Sequence, residues 1–391
     1  MFKIAKWHNN YQAPSVLMID DLSDAYINVY NEPFRNDWGH LCNKENSAFS
    51  FLQKYLLNQY PHIKITFFSP YDRHNVINQN SSFSSKKFAL GEREEYIFFL
   101  KYLVSSGHEI AHHGSNHGCF INQHNPSTIN NWIHEWELFK NIQQGVETTK
   151  KGINLFKKFC DIDIAGGKYC GYKTNRFSDA IIDVCNFLYW CRESNITQHC
   201  HSEQYFGKNN IIAFPTNFAG NSFIRLSYMT GKKERDKKKK FLKYFQPLYN
   251  LYSYLKLYNL YRKKQIISIQ EHISPSTSAG TVQSANIITD IKSLNKIYHT
   301  LSYLSIWYAT CEEIAKYIYT RDHSSITIID KLLIINFNNH KNLKNTSITL
   351  LNDHLFKIND GENTYVSTLN NGAYVVNLPI RTGKNKYYLI R

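Results

Sequence analysis

The chain has 391 residues, of which 42% are hydrophobic and 20% are charged, a balance typical of globular proteins and unlike that of disordered ones. At the usual 100 to 200 residues per domain, this length predicts roughly two to three domains. Lysine and arginine outnumber aspartate and glutamate by 46 to 31, so the formal net charge is +15 and the surface is expected to attract polyanions.

The sequence contains no apolar run of about 18 residues, so no membrane-spanning helix is predicted. Its first segment lacks the apolar core and the small-residue cleavage site of a secretory signal, which favours a cytoplasmic location. The eight cysteines form no C-x-x-C pair, which favours reduced thiols over disulfides or a structural zinc site.

Short apolar runs alternate with longer segments of helical pattern as far as about residue 320, a rhythm typical of β/α folds. Strands are predicted at 15–19, 63–68, 108–111, 161–165, 187–190, 211–215, 265–270 and 305–309. Helices are predicted at 47–59, 92–105, 129–159, 176–185, 287–304 and 310–320, the last with Thr310 as its N-cap. This alternation predicts an α/β protein with a parallel barrel or a wide doubly wound sheet.

From about residue 324 the pattern changes to short strand-like runs without helical segments between them. Turn signals such as Asp360-Gly361 and the N-N-G of residues 370–372 separate these runs. We therefore predict a barrel domain over residues 1–323 and a small C-terminal antiparallel β-domain over residues 324–391. The smaller domain is expected to be β-sandwich-like and to assist glycan binding or packing.

Polar groups follow several of the predicted strands, which is where β/α folds build their active sites. Asp20 and Asp21 follow the first strand, and adjacent carboxylates serve a cation, a helix cap or acid/base chemistry. His113 and His117 are four residues apart, so one helical turn could aim both imidazoles at a single metal ion. A chance cluster among seventeen histidines is the alternative.

Two further groups follow later strands. The glycines of the segment 166–172 could bring backbone amides to an oxyanion, and Lys168 could pair with a carboxylate, although a plain turn explains the segment equally well. Glu271 and His272 end the strand predicted at 265–270. A histidine there could act as a general acid or be a structural residue.

In this order the four groups resemble the motifs of the polysaccharide deacetylase family, the NodB-homology enzymes similar to carbohydrate esterase family 4. The I-D-D of residues 19–21 resembles the family's first motif. The G-H-E-I of residues 107–110, leading into H-G-S-N-H at 113–117, resembles the second. A late strand ending in His272 and the segment 307–317 extend the resemblance over residues 14–320. The resemblance implies a distorted (β/α) barrel.

It also implies a metal-dependent hydrolase that cleaves a C–N bond, using metal-activated water to remove an N-acyl group such as acetyl from a sugar. Asp21, His113 and His117 would hold a divalent metal, most often zinc in this family. Asp20 would be the base that deprotonates the water, and His272 the acid that protonates the departing amine.

The chain departs from the family at two motifs. The third normally has an arginine followed closely by proline, whereas here Lys168 is the nearest candidate and Cys170-Gly171 stand where proline would. A lysine supplies charge but not a bidentate fork. A backbone amide within the segment 170–172, which ends at Tyr172, would bind the oxyanion. The tryptophan-bearing fourth motif has no clear counterpart, and Pro215 is a stand-in for part of the substrate wall.

Residues 231–264 carry twelve basic and two acidic side chains, which is +10 of the total charge of +15. Leucines and tyrosines between basic clusters are typical of membrane interfaces, so residues 232–264 could contact an anionic membrane on its inner face. A helix that covers the barrel or pairs with another subunit is the alternative. A cytoplasmic and basic enzyme is expected to act on a nucleotide-linked, lipid-linked or other anionic glycan intermediate of the cell envelope.

Two other classes of function remain open. Basic clusters interleaved with aromatic residues could bind nucleic acid, but no nucleic-acid module accompanies them, so this partner is not expected. The altered third motif is also compatible with a catalytically inactive, glycan-binding barrel protein.

Overall fold

The computed structural model describes residues 2–28, 33–39, 45–77, 83–121, 132–194, 200–228, 243–273 and 283–390. Much of the predicted basic insertion, residues 231–242, lies outside these ranges. Within them, no helix is both long enough and apolar enough to cross a membrane.

Seven parallel strands form a closed ring. They are β1 (Ala13–Asp20), β2 (Ile65–Ser69), β3 (Glu109–His112), β4 (Gly166–Lys168), β5 (Tyr189–Glu193), β6 (Ile211–Thr216) and β7 (Ile267–His272). The strands pair in chain order, and β7 pairs with β1. The ring closes because the chain continues from β6 through Asn217 into Phe218–Ala219, which pairs in parallel with β7. The predicted α/β class with a distorted barrel is confirmed.

The ring is distorted because its strands differ in length and pairing. All eight residues of β1 are buried, as expected for a strand covered on both faces. Between β3 and β4, by contrast, the paired residues are His112 and Gly167 alone. Gly167 lies against the Trp190 ring, and a Cβ built on it would be 2.4 Å from that ring. Glycine is therefore required where β4 enters the barrel.

The helices and the remaining strands of the first 323 residues surround this ring. The helices are α1 (Ala48–Leu52, continued by a π turn at Gln53–Leu57), α2 (Glu94–Ser105), α3 (Glu135–Leu138), α4 (Ile142–Cys160), α5 (Ser178–Val184), α6 (Arg225–Tyr228), α7 (Gln246–Arg262), α8 (Ile287–Ser302) and α9 (Cys311–Asp322). Short strands pair as Ala25–Ile27 with Ser85–Lys87, Gly118–Phe120 with Trp132–His134, and Gln204–Phe206 with β6.

Three sequence predictions need correction. The helix predicted over 129–159 is wrong, because the strand Trp132–His134 and the short α3 precede α4. The strand predicted at 161–165 is also wrong, since Asp161 ends α4 in the left-handed conformation and pairing begins only at β4. The eighth predicted strand, observed as Ile306–Tyr308, pairs with the start of β1 and takes no part in the ring.

The N-cap prediction is confirmed. Thr310 Oγ1 accepts a hydrogen bond from the amide of Glu313 at 3.2 Å, and the Glu313 carboxylate accepts one from the amide of Thr310 at 2.8 Å. This capping box starts α9.

The described residues after 323 form strands in two antiparallel sheets. The strands are β8 (Ser324–Ile329), β9 (Leu332–Phe337), β10 (Thr346–Asn352), β11 (Lys357–Asn359), β12 (Thr364–Val366), β13 (Thr368–Asn370), β14 (Ala373–Ile380) and β15 (Gly383–Ile390). One sheet has the order β8-β9-β15-β11-β12. In the other, Lys3–Ile4 pairs with β10, followed by β14 and β13.

These sheets share a hydrophobic core with the barrel and α9. Met18 of β1, Ile318 of α9 and Leu350 of β10 belong to the same buried cluster. The Lys3–Ile4 strand also joins the first residues of the chain to the C-terminal sheet. The division at residue 323 therefore stays a prediction.

Asn217 stabilises the closure of the barrel. Its Nδ2 donates to the carbonyl of Ile266 at 2.7 Å, and its Oδ1 accepts from the amide of Ser268 at 3.2 Å. We expect Asn217→Asp to lower the free energy of unfolding by about 1–3 kcal/mol, because a buried carboxylate cannot donate to the Ile266 carbonyl. Urea denaturation measures this. The control Asn336→Asp, at an exposed position of β9, should change stability by less than about 0.5 kcal/mol; equal losses would contradict the prediction.

Candidate active site

Polar side chains gather at the carboxyl-terminal rim of the barrel. β1 ends at Asp20, β3 is followed directly by His113, β4 ends at Lys168, and β7 ends at His272. The parallel register pairs Asp20 with His272, which brings the first and the last of these strand ends together. The strand-end rule used on the sequence therefore located one site and not four separate ones.

Asp21 lies at the centre of a buried cluster. Its Oδ1 is 3.2 Å from Nε2 of His74, 3.5 Å from Nε2 of His113 and 3.2 Å from Nε2 of His117. Its Oδ2 accepts a hydrogen bond from Gln283 at 2.9 Å. Asp21, which follows β1 in the left-handed conformation, is thus a buried carboxylate facing three imidazoles.

Electrostatics within the cluster favour a charged Asp21 beside a neutral His117. Burial by itself would raise the pKa of Asp21, but the three imidazoles hold it well below its usual value. Burial lowers the pKa of His117 well below its usual value, so this imidazole is neutral near pH 7. Burial would also lower the pKa of His113, but the charges of Asp20 and Asp21 raise it. A carboxylate and neutral imidazole are the forms that bind metal ions.

The donor set fits a divalent metal. Two groups of buried side chains could hold an ion, with their ligand atoms within 4.8 Å of one another: Asp21, His74 and His117, and His113, His117 and Cys170. Tetrahedral zinc with bonds of about 2.0–2.1 Å keeps neighbouring ligand atoms about 3.3 Å apart. The separations of 3.5 and 3.2 Å from Asp21 Oδ1 to Nε2 of His113 and of His117 are close to this value, and the predicted set of Asp21, His113 and His117 draws its members from both groups.

The tautomer of His113 also fits. Its Nδ1 is 3.2 Å from the carbonyl oxygen of Lys168 and so must donate a proton, which leaves Nε2 deprotonated in the neutral ring. Nε2 is buried and has no hydrogen-bond partner within the described ranges. A ring whose outer nitrogen donates to a carbonyl while the inner one carries a free lone pair is the usual arrangement of a metal ligand.

His74 was missed by the sequence analysis. Its Nδ1 accepts a hydrogen bond from the amide of Val76 at 3.3 Å, so the proton of the neutral ring is on Nε2, which donates to Asp21 Oδ1. The ring also stacks on that of His117, with centroids 4.7 Å apart. His74 therefore supports Asp21 rather than offering a lone pair. It follows β2 by five residues, so the strand-end rule could have found it.

Asp20 is held by two side chains. Its Oδ1 accepts from Lys168 Nζ at 2.8 Å, and its Oδ2 accepts from Gln270 Nε2 at 3.0 Å. Lys168 is fully buried and also donates to Gln270 Oε1, while its ammonium lies 4.9 Å from the ring centroids of Phe68 and Tyr172. Lys168 thus contacts Asp20 through a single bond, and Gln270, which the sequence analysis missed, supplies the second.

His272 faces Asp20 from the neighbouring strand. Its Nδ1 is 2.6 Å from the carbonyl oxygen of Ala285 and donates to it, and its Nε2 is 3.9 Å from Asp20 Oδ2. The side chain is 21% exposed, against 6% for Asp20. The Nδ1 atom of His272 is therefore held by a hydrogen bond, and its Nε2 atom faces Asp20 from the side of the site that is open to solvent.

The segment predicted to bind an oxyanion forms a short 3₁₀ turn, Cys170–Tyr172. Cys170 Sγ donates to the carbonyl of His113 at 3.1 Å, which joins this turn to the cluster. Gly171 has a φ of 56°, and a Cβ on it would be 2.3 Å from His134 Nε2. The Tyr172 hydroxyl donates to Gln270 Oε1 at 3.2 Å. All three predicted residues therefore border the site.

Pro215 lies elsewhere. It is buried within β6, where its carbonyl accepts from Ser268 Oγ at 2.5 Å. The next two residues, Thr216 and Asn217, line a cavity of about 210 Å³ beside the site, together with Tyr172, Glu193, Lys256 and Gln270 among others. The described wall near the site is thus formed by the end of β6 and by a side chain of α7.

The geometry of H-G-S-N-H differs from the predicted helical turn. Residues 113–117 form a bend in which Gly114 and His117 have positive φ values of 78° and 73°. The buried Glu135 carboxylate accepts hydrogen bonds from the amides of Ser115 and Asn116 at 2.7 and 3.1 Å. The helical prediction is wrong, but the bend still brings His117 to Asp21.

No protein-family model and no curated protein sequence matches the chain. Among solved structures it is similar to a probable polysaccharide deacetylase from Pseudomonas aeruginosa, with 12% identity and a TM-score of 0.47 over 82% of this chain and 95% of that one. The PuuE allantoinase has 13% sequence identity and a TM-score of 0.46, and the match covers 80% of this chain and 92% of the allantoinase. A family 4 acetyl xylan esterase from Clostridium thermocellum, in complex with cobalt, has 12% sequence identity and a TM-score of 0.38. The match covers 77% of this chain and 89% of the esterase. Similarities this low assign no activity to the chain.

Proposed function

We propose that the chain is a metal-dependent hydrolase that removes an N-acyl group, with acetyl as the first choice, from a sugar. The observation that carries this proposal is the convergence of three imidazole nitrogens on one oxygen of the buried Asp21. Asp20, the preceding residue, is a second carboxylate, and its oxygens accept hydrogen bonds from Lys168 and Gln270 instead. A metal site next to a separate carboxylate is what hydrolysis by water requires.

Asp21, His113 and His117 would hold the metal, and zinc suits a set of two imidazoles and one carboxylate. Three protein ligands leave positions for water and substrate, as in catalytic rather than structural zinc sites. A divalent metal bound there would polarise the acyl carbonyl and lower the pKa of a water from about 16 toward about 7.

Asp20 would accept a proton from the attacking water. Lys168 and Gln270 hold both of its oxygens, so its orientation is fixed before the substrate arrives. Lys168 takes the place of the family's arginine in contacting this carboxylate, with Gln270 supplying the second bond that a guanidinium fork would have made.

His272 would protonate the departing nitrogen. Its Nδ1–H is held by the carbonyl of Ala285, so Nε2, the atom that faces the site, is the one that would deliver the proton. In the reaction the amide C–N bond breaks, the water oxygen bonds to the acyl carbon, and the nitrogen gains a proton. The products are a carboxylate and a free amine.

The amides of the turn at 170–172 would stabilise the oxyanion. The amide of Tyr172 already donates to the carbonyl of Tyr169 at 3.1 Å within the turn. Cys170 and Gly171 are therefore our first choices as donors to the developing negative charge.

The cavity beside the site bears on the substrate class. Lys256, a partly buried cation, lines it together with the carboxylate of Glu193 and with Gln270, which holds Asp20. Because the whole chain carries a net charge of +15, an acylated sugar with negative charge, such as a nucleotide-linked or lipid-linked sugar, is the favoured substrate. An N-acyl group is preferred over an O-acyl group because His272 is placed to protonate a poor leaving group.

The test is a screen for acetate released from N-acetylated sugar nucleotides and lipid-linked saccharides, with chelated protein and with zinc restored. We expect acetate and free amine to form only when zinc is present. Stoichiometric zinc without turnover on any of these substrates would favour the inactive glycan-binding alternative. Failure to bind zinc would remove the proposal altogether.

The role of His74 gives a separate prediction. His74→Phe keeps an aromatic ring against His117 but removes the donor to Asp21, so zinc affinity should fall by about 10–100-fold, the usual cost of losing a partner that orients a ligand. Competition with a chromophoric chelator measures it. The control is His354→Phe, at an exposed position. If His74→Phe lowered the zinc affinity as much as replacing the proposed ligand His113 by alanine does, His74 would be a metal ligand instead.

A further inference from the structure

The outward face of α7 is apolar. Five of its side chains are between 51% and 64% exposed: Leu248, Leu251, Tyr252, Leu255 and Tyr258. Leu248, Leu251, Leu255 and Tyr258 recur every three or four residues and Tyr252 lies next to Leu251, so the five form one continuous stripe along the helix. Contiguous apolar surface of this kind is rare on proteins that remain free in solution and marks a place of contact.

The opposite face of α7 fixes the helix to the barrel. Ser253, Leu257 and Leu260 are buried. Ser253 Oγ donates to the carbonyl of Ser222 at 3.1 Å, and Gln246 Nε2 donates to that of Phe223 at 3.0 Å. The exposed stripe is therefore held in place by the inner face of the same helix. Nothing within the described ranges covers the stripe.

The charged residues of the segment that carries the stripe have one sign. Residues 243–264 contain five basic side chains and no acidic one. Three of the five, Arg262, Lys263 and Lys264, are exposed directly after the stripe. The surface thus combines leucine, tyrosine and positive charge.

We propose that α7 docks on the surface of an anionic lipid bilayer, lying parallel to it with the stripe among the acyl chains and head groups. Leucine gains free energy by leaving water, tyrosine is favoured at the interface, and lysine and arginine contact anionic head groups. Each of the three residue types therefore has a partner in the same bilayer.

Other partners satisfy only part of this surface. Nucleic acid would bind the basic residues, but its phosphates offer nothing to three exposed leucines. A second copy of the chain would cover the leucines, but a two-fold interface would bring two basic clusters without acidic residues close together. The bilayer is the partner that matches both the apolar and the charged part.

Docking would also place the site near the bilayer. Lys256 lies on the same helix and lines the cavity that contains Gln270 and Tyr172. A protein docked through α7 would hold this cavity beside the head groups. The docking itself does not depend on the proposed hydrolysis.

The experiment is vesicle flotation with phosphatidylcholine, alone and mixed with phosphatidylglycerol. The variants are Leu248→Gln/Leu251→Gln/Leu255→Gln, which keeps the helix propensity of α7, and Arg262→Gln/Lys263→Gln, which tests the charge. The matched control is Leu355→Gln/Leu369→Gln, which replaces leucines that are 61% and 66% exposed outside α7.

We expect the unchanged protein to float with the anionic vesicles and to bind neutral vesicles more weakly. The triple variant should bind the anionic vesicles at least about ten-fold more weakly, the charge variant should lose the preference for phosphatidylglycerol, and the control should bind normally. All variants should melt as the unchanged protein does, because the replaced side chains are exposed.

Three results would overturn the proposal. The unchanged protein could fail to bind either vesicle, or the control could lose as much binding as the triple variant. Sedimentation could also reveal a dimer that the triple variant converts to a monomer while vesicle binding stays the same, which would make the stripe an interface between copies.

Discussion

Replacing Asp20 by asparagine is expected to lower turnover by about 10²–10⁴-fold, the usual contribution of a general base, without loss of bound zinc. Asparagine has nearly the same shape, and its oxygen can still accept the hydrogen bond from Lys168, while its NH2 group cannot accept the one from Gln270 Nε2. It cannot accept the proton of the attacking water. Asp20 hydrogen-bonds to Lys168 and Gln270 rather than to the imidazole cluster, so the metal ligands should keep their positions.

The measurement pairs acetate release with zinc content for each purified protein. Asp353→Asn, at an exposed position, is the control for the loss of one negative charge. A fully active Asp20→Asn enzyme would remove the assignment of the base. Loss of zinc together with activity would place Asp20 among the metal ligands and leave the base unassigned.

The part of the site that could be predicted is the part that follows strand ends. Asp20, His113 and His272 all stand where a parallel strand reaches the rim, so a local apolar pattern followed by a polar residue was enough to locate them. Their meeting at one place follows from the barrel, since a closed ring brings its first and last strands into register.

The supporting residues could not be predicted in the same way. Gln283 donates to Asp21 across 262 positions of sequence, and Glu135 binds the amides of the bend at 113–117 from a separate helix. Gln270 occupies an ordinary strand position, and only the packing shows that its amide bonds Asp20. Such contacts depend on tertiary structure, which local patterns do not encode.

Two of the wrong secondary-structure predictions have physical explanations. The histidine spacing of four suggested a helical turn, but Gly114 allows a left-handed bend that serves the same two imidazoles. The apolar positions over 129–159 suggested one helix. Asn141 instead caps a new helix, its side chain accepting from the amide of Gln144 at 2.8 Å. The spacing of apolar residues alone does not show where one helix ends and the next begins.

His113→Ala is expected to abolish both zinc binding and turnover. A partner that only orients a ligand contributes about 10–100-fold in affinity, so loss of a ligand should weaken zinc binding by more than about 100-fold. His113 is the imidazole with the clearest ligand geometry, because Nδ1–H is fixed on the carbonyl of Lys168 and the buried Nε2 has no other partner within the described ranges.

Thermal unfolding gives a readout that does not require turnover. Zinc binds the folded state, so it should raise the melting temperature of the unchanged protein by mass action. The His113→Ala variant should show no such shift at the same zinc concentration, and Asp20→Asn should show the full shift. The control is His354→Ala, at an exposed position. If His113→Ala still bound zinc as tightly as the control, the metal would be held by other residues. Cys170 and His74 would then be the next to replace, because each belongs to one of the two candidate groups that include His117.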